Sequence, residues 1–138
     1  MLSNRSMPRA TVIPELAYPD IGAAIDWLCA AFGFTLRLRI ADHRAQLNVG
    51  DGAVVLTELR DPLRTIDPAF AVMVRVADAD AHHARAAKHG AKILRPPTDY
   101  PYGERQYTAE DHAGHIWTFS QSIADIAPED WGGTPGEL

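Results

Sequence analysis

Two kinds of hydrophobic pattern alternate along the chain, one typical of helices and the other of strands. Between Ile21 and Phe32 apolar residues recur at intervals of three and four, which predicts an amphipathic helix. Asp20 is a suitable N-cap for this helix, and Gly33 can end it. Shorter apolar runs predict four strands around the helix, at residues 11–18, 34–40, 44–49 and 53–59.

The same order of elements returns in the second half of the chain. Asp78 takes the capping role of Asp20, and Gly90 ends a second predicted helix over residues 79–89, so the two helices match in length to within one residue. A strand at residues 70–76 precedes this helix. After it the sequence predicts a strand-like segment at 91–94, a break at Pro96-Pro97, an irregular loop at 98–104, and strands at 105–109 and 115–121.

This internal repeat predicts an α+β fold made of two βαβββ modules. Because each helix must cover one face of a sheet, we expect two curved mixed sheets around a cleft, with the helices outside. The predicted boundaries are a flexible leader at residues 1–10, one domain at 11–121, and a tail at 122–138. Within the domain, module one covers 11–60, a linker 61–68, and module two 69–121.

Composition and charge exclude several classes of protein. The 138 residues suit one domain, and 46% of them are hydrophobic, as in ordinary globular proteins. The net charge of −5 and the scatter of the 13 basic residues argue against nucleic acid as a partner. No apolar run approaches the about twenty residues that a membrane helix needs, and no secretory signal is present, so we expect a cytoplasmic protein without membrane contact. The single Cys29 agrees with a reducing compartment.

The histidines do not form a recognisable metal site. His82, His83 and His89 share the second predicted helix, but neighbours on a helix point about 100° apart, and residues two turns apart cannot hold one ion. We expect these histidines to lie on a solvent-exposed face of the helix. His112 and His115 flank a turn glycine, where hairpin geometry explains them as well as catalysis does.

Alternation along the strands yields a set of candidate ligand-binding residues. If Thr118 faces the cleft, Trp117 and Phe119 face the helix as core. Tyr102, in the predicted loop, would offer an aromatic face at the cleft mouth or pack that loop onto its own domain. The other candidates point inward if the alternation holds, and otherwise lie at strand ends on a wet rim: Glu15, Arg44, Gln46, Glu58, Met73, Arg75, Arg105 and Tyr107.

Two segments of the sequence resemble segments of a known protein family. The first runs from Pro14-Glu15-Leu16-Ala17-Tyr18-Pro19-Asp20 through Ala24-Ile25-Asp26-Trp27-Leu28 to Phe32-Gly33-Phe34. The second joins Tyr102-Gly103-Glu104-Arg105-Gln106-Tyr107 to Asp111-His112-Ala113-Gly114-His115-Ile116-Trp117-Thr118-Phe119. In this order they resemble the glyoxalase/bleomycin resistance protein/dioxygenase proteins of the vicinal oxygen chelate superfamily, in particular the PhnB-like branch. The resemblance spans residues 11–121.

The resemblance also implies where a metal would be bound. Enzymes of that superfamily hold a divalent ion with His, Glu or Gln from the first and last strands of each module. Counting from the helix caps and hairpin glycines places the matching positions at Ile13, Leu56, Ala71 and Thr118. Aliphatic side chains and one hydroxyl do not replace the hydration shell of an ion. A shift of two residues would bring in Glu58, which is still one carboxylate, so we expect neither metal nor other cofactor.

Three hypotheses of function follow. The first is a metal-free homodimer that binds a small molecule, as the likeness to drug-resistance members implies. The second is an enzyme, a lyase, isomerase or dioxygenase, with an unrecognised metal set or with Glu15 or Glu58 as general base; its other catalytic residues stay unidentified. The third is a structural or partner-binding module, favoured if the protein's own side chains fill the cleft.

Overall fold

The structure is a computed structural model that describes residues 1–61, 67 and 69–138. The predicted linker at 61–68 therefore lies almost wholly outside the described residues. The chain divides into two compact units, Met1–Asp67 and Pro68–Leu138. In the described residues, each unit has one α-helix and one four-stranded mixed sheet. The predicted α+β fold of two βαβββ modules is confirmed.

The described residues of the first unit form one helix and four strands: β1 (Glu15–Tyr18), α1 (Ile21–Phe32), β2 (Thr35–Ile40), β3 (Arg44–Val49) and β4 (Gly52–Glu58). Its strand order is β1-β4-β3-β2, with β1 parallel to β4 and the other pairs antiparallel. The Asp20 carboxylate accepts a hydrogen bond from the Ala23 amide, and Gly33 ends the helix with φ 78°. These are the two ends that the sequence predicts.

The core of the first unit lies between α1 and one face of this sheet. Alternate strand residues such as Leu16, Leu47 and Leu56 are fully or almost fully buried, and Leu28 of α1 is buried with them. The first strand is shorter than the strand predicted at residues 11–18. Only Glu15–Tyr18 is a strand, although the Pro14 carbonyl still accepts a hydrogen bond from the Val55 amide.

The second unit repeats this arrangement: β5 (Ala71–Arg75), α2 (Ala79–Lys88), β6 (Lys92–Tyr100), β7 (Glu104–Glu110) and β8 (Ile116–Ser122). The strand order is β5-β8-β7-β6, and β5 is parallel to β8. A 3-10 helix, Pro128–Trp131, follows within the predicted tail. None of the helices in the described ranges is long and apolar enough to cross a membrane.

Aromatic side chains form the core of the second unit. Trp117 and Phe119 of β8 are fully buried, as the alternation predicts, and Tyr107 of β7 is buried beside them. The rings of His82 and Phe119 lie 4.1 Å apart, and those of His83 and Tyr107 5.3 Å apart. The expectation of a solvated histidine face is therefore wrong for these two residues. The buried residues of α2 include only small ones, Ala79 and Ala86, so imidazole rings supply the missing volume.

Strand β6 differs from the prediction. Pro96 and Pro97 do not break it, because β6 continues from Lys92 to Tyr100, and the loop predicted at 98–104 is reduced to a turn at 101–103 between β6 and β7. β6 is the edge strand of its sheet, so a proline nitrogen on its outer side leaves no ladder bond unmade. The register shifts between Arg95 and Thr98, which accommodates the two prolines.

Candidate functional site

Each sheet has one face covered by its helix and an opposite face, which we call the open face. In the first unit the register aligns Glu15 with Val55 and Val55 with Gln46, and it aligns Arg44 with Thr57. Residues that pair across strands share a face. Three candidates therefore share the open face of this sheet: Glu15, Arg44 and Gln46.

The charged candidates of this face are paired with each other. Arg44 Nη2 donates to Glu15 Oε1 at 3.2 Å, in an ion pair whose side chains are 39% and 62% exposed. Such an exposed pair contributes little to stability. Its effect here is to hold the carboxylate and the guanidinium next to each other at the first and third strands.

Gln46 lies in a more enclosed part of the same face. It is 3% exposed, and its Oε1 accepts a hydrogen bond from Arg37 Nη1 at 2.7 Å. Its Nε2 donates to the backbone oxygen of Ser6 at 2.9 Å. The segment predicted as a flexible leader thus contributes groups to this face.

In the second unit a second group of candidates shares the open face. The register aligns Met73 with Thr118, and Arg75 with Ser120 and Gln106. Thr118 and Thr108 share a hydrogen bond of 3.0 Å between their hydroxyls, and Arg75 Nη1 donates to the Ser122 hydroxyl at 3.1 Å. Met73 is 64% exposed. The open face is therefore polar along β7 and β8, whereas β5 presents the exposed Met73 beside the charged Arg75.

A chain of hydrogen bonds runs across this face. Ser120 Oγ donates to Glu104 Oε1 at 2.7 Å, Gln106 Nε2 donates to Ser120 Oγ at 3.0 Å, and the Tyr102 hydroxyl donates to Gln106 Oε1 at 3.2 Å. The hydrogen bonds from Ser120 and Ser122, together with the charge of Arg75, lower the pKa of Glu104. Glu104 is therefore held as a carboxylate, which orients the chain of donors toward it.

Aromatic rings flank the end of this chain. Tyr102 stacks on Tyr100 with ring centroids 5.4 Å apart and an interplanar angle of 13°. On the tail, Trp131 lies against Tyr102 with centroids 4.9 Å apart, and Trp131 is 47% exposed. The Gly103 carbonyl accepts hydrogen bonds from the Ile123 and Ala124 amides, which ties the tail to the Tyr102 turn.

Three candidates lie on the helix-covered faces. Glu58 pairs in register with the buried Tyr18 and is itself exposed at the end of β4. Arg105 forms ion pairs of 3.0 Å with Asp80 of α2 and 2.8 Å with Asp99. Tyr107 is fully buried, and its hydroxyl forms a hydrogen bond with His82 Nδ1. Burial raises the pKa of Tyr107.

Sequence reasoning missed four residues that now belong to the open faces: Arg37, Glu104, Gln106 and Ser120. From Glu104 to Tyr107 in β7 every residue is polar or charged. The alternation of apolar and polar residues therefore does not show whether Glu104 and Gln106 or Arg105 and Tyr107 lie on the open face. The sequence pattern that could have identified Ser120 is on β8. Once Trp117 and Phe119 are assigned to the core, Ser120 must face the other way with Thr118.

The whole arrangement agrees with a comparison of the sequence with known families. The family model of the Glyoxalase/Bleomycin resistance protein/Dioxygenase superfamily matches residues 10–119. The chain belongs to this superfamily. A search of curated proteins finds no significant match. The finer assignment to the PhnB-like branch stays a prediction.

Solved structures of the superfamily fold are also similar to this chain. TioX from Micromonospora sp. ML1 shares 36% identity, covers 83% of this chain and 99% of its own, and has a TM-score of 0.71. A superfamily enzyme from Burkholderia phytofirmans PsJN has 17% identity, coverages of 80% and 97%, and a TM-score of 0.69. Lactoylglutathione lyase from Agrobacterium tumefaciens has 15% identity, coverages of 84% and 96%, and a TM-score of 0.65. The last two show likeness of fold alone.

The residues at the superfamily's metal positions do not fit a divalent ion. The register corrects one of the four positions. Thr118 of β8 pairs with Met73 of β5 on the open face of the second unit. In the first unit the residue that pairs in the same way with Glu15 of β1 is Val55. Val55 therefore replaces Leu56, which is buried on the helix-covered face. Val55 is no better as a ligand than Leu56. Among the described residues, no group of three or more His, Cys, Asp and Glu side chains could hold a metal ion.

Proposed function

We propose that this superfamily member is a small-molecule binding protein that uses its open faces without a divalent metal. One observation carries the proposal. The positions that bind metal in enzymes of the superfamily are occupied by Ile13, Val55, Ala71 and Thr118, while polar side chains on the same faces are joined in hydrogen-bonded chains. Such chains orient a ligand without an ion.

The chemistry of the second unit's open face suggests what the ligand contains. Tyr102, Tyr100 and Trp131 offer aromatic faces that favour a planar or apolar part. Gln106 and the Arg75 guanidinium lie along the same face and suit hydrogen-bond acceptors. A molecule with an aromatic ring and a carbonyl or carboxylate group combines both features.

The state of the carboxylates supports binding over general-base catalysis. Glu15 is engaged by Arg44, and Glu104 accepts a hydrogen bond from Ser120 that favours its charged form. A catalytic base works best with a pKa near the working pH, and the interactions of Glu104 shift its pKa the other way. The homodimer and the cytoplasmic location stay predictions.

The first test is metal analysis of the purified protein by inductively coupled plasma mass spectrometry. It is made after dialysis and again after reloading with Zn, Mn, Ni and Fe. We expect less than stoichiometric metal throughout. A stoichiometric ion that survives dialysis would overturn the metal-free proposal and favour an enzyme.

The second test is a thermal-shift screen of aromatic carboxylates and amides, followed by calorimetry on the compounds that stabilise the protein. Tyr102→Ala and Gln106→Leu should each weaken binding about tenfold or more, since they remove a ring face and a buried hydrogen-bonding group. Lys88→Ala, exposed on α2, is the matched control and should bind as the wild type does. Binding that is equal in all four proteins would contradict the proposed site.

A further inference from the structure

The amino-terminal segment Asn4–Pro8 is docked on the open face of the first unit. Arg37 Nη2 donates to the Arg5 carbonyl at 3.0 Å and to the Met7 carbonyl at 2.9 Å. Gln46 Nε2 donates to the Ser6 carbonyl between them at 2.9 Å. Three successive carbonyl groups are therefore bound by only two side chains of the sheet.

The segment has a local fold that presents these carbonyls together. The Met7 amide donates to the Asn4 carbonyl at 3.2 Å, and the Ser6 amide donates to Asn4 Oδ1 at 3.0 Å, which closes a tight turn. Pro8, which follows the turn, is buried. The turn limits the directions that the carbonyls can take, and the buried proline fixes where the segment leaves the sheet.

The receiving side chains are also hydrogen-bonded to each other. Gln46 is 3% exposed, and its amide cannot rotate freely because Oε1 accepts from Arg37 Nη1 at 2.7 Å. The guanidinium is likewise oriented, since one nitrogen donates to Gln46 and the other to the segment. Arg37 thus has a donor fork fixed in place, and charged donors form the stronger hydrogen bonds.

Apart from the buried Pro8, the apolar residues at the amino terminus contribute little to the attachment of the segment. Met1 and Leu2 are fully exposed and Met7 is 43% exposed. A cavity of about 590 Å³ lies beside the segment, lined by the amino-terminal residues and Arg37. A second cavity of about 220 Å³ is lined by Pro8–Ala10, Arg37, and the β3–β4 turn at Gly50–Ala53. Apart from Pro8, the segment is held by hydrogen bonds to its backbone carbonyls.

We propose that Asn4–Pro8 is a displaceable strap that closes over Gln46 and Arg37 and that ligands bearing carbonyl or carboxylate oxygens compete with it for these donors. The competing ligand rests on the proposed function, whereas the strap itself does not. Opening the strap frees two donor side chains, Arg37 and Gln46, on the open face of the first unit. The strap sets the ligand's apparent affinity, since a ligand must displace a tethered competitor.

Trypsin cleavage after Arg5 measures how often the strap is open. The rate is followed by mass spectrometry in the full chain and in a synthetic peptide of residues 1–11. We expect trypsin to cut the full chain at least about tenfold more slowly than the peptide. A single charge-assisted hydrogen bond stabilises the closed strap enough to give a difference of this size. Equal rates would overturn the strap, and this comparison needs no variant.

Two arginine substitutions on β2 then test the dock. Arg37→Met should raise the cleavage rate after Arg5 toward that of the peptide. Arg39→Met is the control, because the Arg39 guanidinium donates to the Ala41 carbonyl and to the Asp42 carboxylate in the β2–β3 turn. Cleavage after Arg85 of α2 reports any general loss of folding. An increase at Arg5 alone supports the strap, and no increase in a folded Arg37→Met protein overturns the dock.

Competition is tested on the full chain with an excess of the acetylated, amidated peptide of residues 3–8 carrying R5Q, which trypsin does not cut. It presents the same carbonyls and should accelerate cleavage after Arg5 several-fold, while a scrambled peptide should not. Equal effects of the two peptides would overturn competition. A strap that opens in this way while no compound of the screen binds would refute the proposed function alone.

Discussion

The Ser120 hydroxyl donates a hydrogen bond of 2.7 Å to Glu104 Oε1 on the open face of the second unit. This hydrogen bond joins the charged carboxylate of Glu104 on β7 to the hydroxyl of Ser120 on β8. Because it favours the carboxylate, it lowers the pKa of Glu104 from its ordinary value of 4.5. The native state therefore binds this proton less readily than the unfolded chain does, which makes the contact sensitive to acid.

Glu104→Gln should reduce stability at neutral pH and not in strong acid. The contribution of Glu104 is present above pH 4.5 and is lost as the pH falls through its lowered native pKa. We expect a difference from wild type of about 0.5 kcal/mol at pH 7, kept small by solvent screening at this partly exposed position. Urea unfolding at pH 7 and pH 3 measures it, with Glu137→Gln near the chain end as control. A difference that persists at pH 3 would contradict this origin.

Tyr107→Phe should alter the response to alkaline pH. Burial raises the pKa of Tyr107 above its ordinary value of 10.0, so the native state keeps a proton that the unfolded chain releases. The stability from this group is complete below pH 10 and is lost as the pH rises. The variant should lose less stability than wild type between pH 9 and pH 11, as denaturant unfolding would show.

At pH 7 the same variant should be less stable by about 1 kcal/mol, because His82 Nδ1 loses its hydroxyl partner. Tyr100→Phe, on the edge strand β6, is the comparison. If both variants follow the wild-type pH profile, burial of the Tyr107 phenol is not what governs alkaline stability.

Gly103→Ala should destabilise the second unit more than Gly90→Ala. Both glycines have positive φ, 83° and 86°, so alanine is strained at either position. A methyl group at Gly103 would lie 2.4 Å from the Ala124 backbone oxygen, whereas one at Gly90 would meet nothing within 4 Å. We expect a loss of about 1 kcal/mol at Gly90 and about 2–3 kcal/mol at Gly103. Thermal unfolding measures both, and equal losses would mean that the tail shifts freely.

Asp111→Asn should be almost as harmful as Asp111→Ala. Asp111 is 5% exposed, and its Oδ2 accepts a hydrogen bond of 3.0 Å from Trp117 Nε1 while Oδ1 accepts from the Ala113 and His115 amides. An asparagine that keeps the two amide contacts turns its NH2 group toward the indole N–H, so two donors face each other. We expect a loss of about 2 kcal/mol in urea unfolding.

The matched control for this change is Asp51→Asn, in the exposed β3–β4 turn. It should cost less than about 0.5 kcal/mol. The double variant Asp111→Asn with Trp117→Phe tests the mechanism, because removing the indole N–H relieves the conflict. Additive losses in that double variant would show that the indole contact is not the cause.

The sequence predicted the helices well because their ends depend on local chemistry. Asp20 and Asp78 each accept a hydrogen bond from an amide three residues later, and Gly33 adopts positive φ, as their residue types require. The error at Pro96 and Pro97 has a different origin. Whether a proline is tolerated in a strand depends on whether that strand is at an edge, and this is a property of the whole sheet.

The candidate site was predicted only in part, for a related reason. Glu15, Arg44 and Gln46 share a face, because alternation along the unbroken strand β3 places Arg44 and Gln46 together and the register brings Glu15 of β1 to the same face. Glu58, Arg105 and Tyr107 lie on the opposite, helix-covered faces. The docking of the leader on Arg37 had no sequence signal, since backbone carbonyls bind the same donors whatever side chains they carry.

The two prolines of β6 also affect how the molecule meets its neighbours in a crowded solution. An edge strand usually presents a row of amide hydrogens that another chain can use to extend the sheet. Pro96 and Pro97 have no amide hydrogen, and the shifted register around them disturbs the regular spacing of donors along the outermost strand of this sheet. The outer side of β6 is thereby a poor template for intermolecular β-pairing, and the second unit is protected there against aggregation.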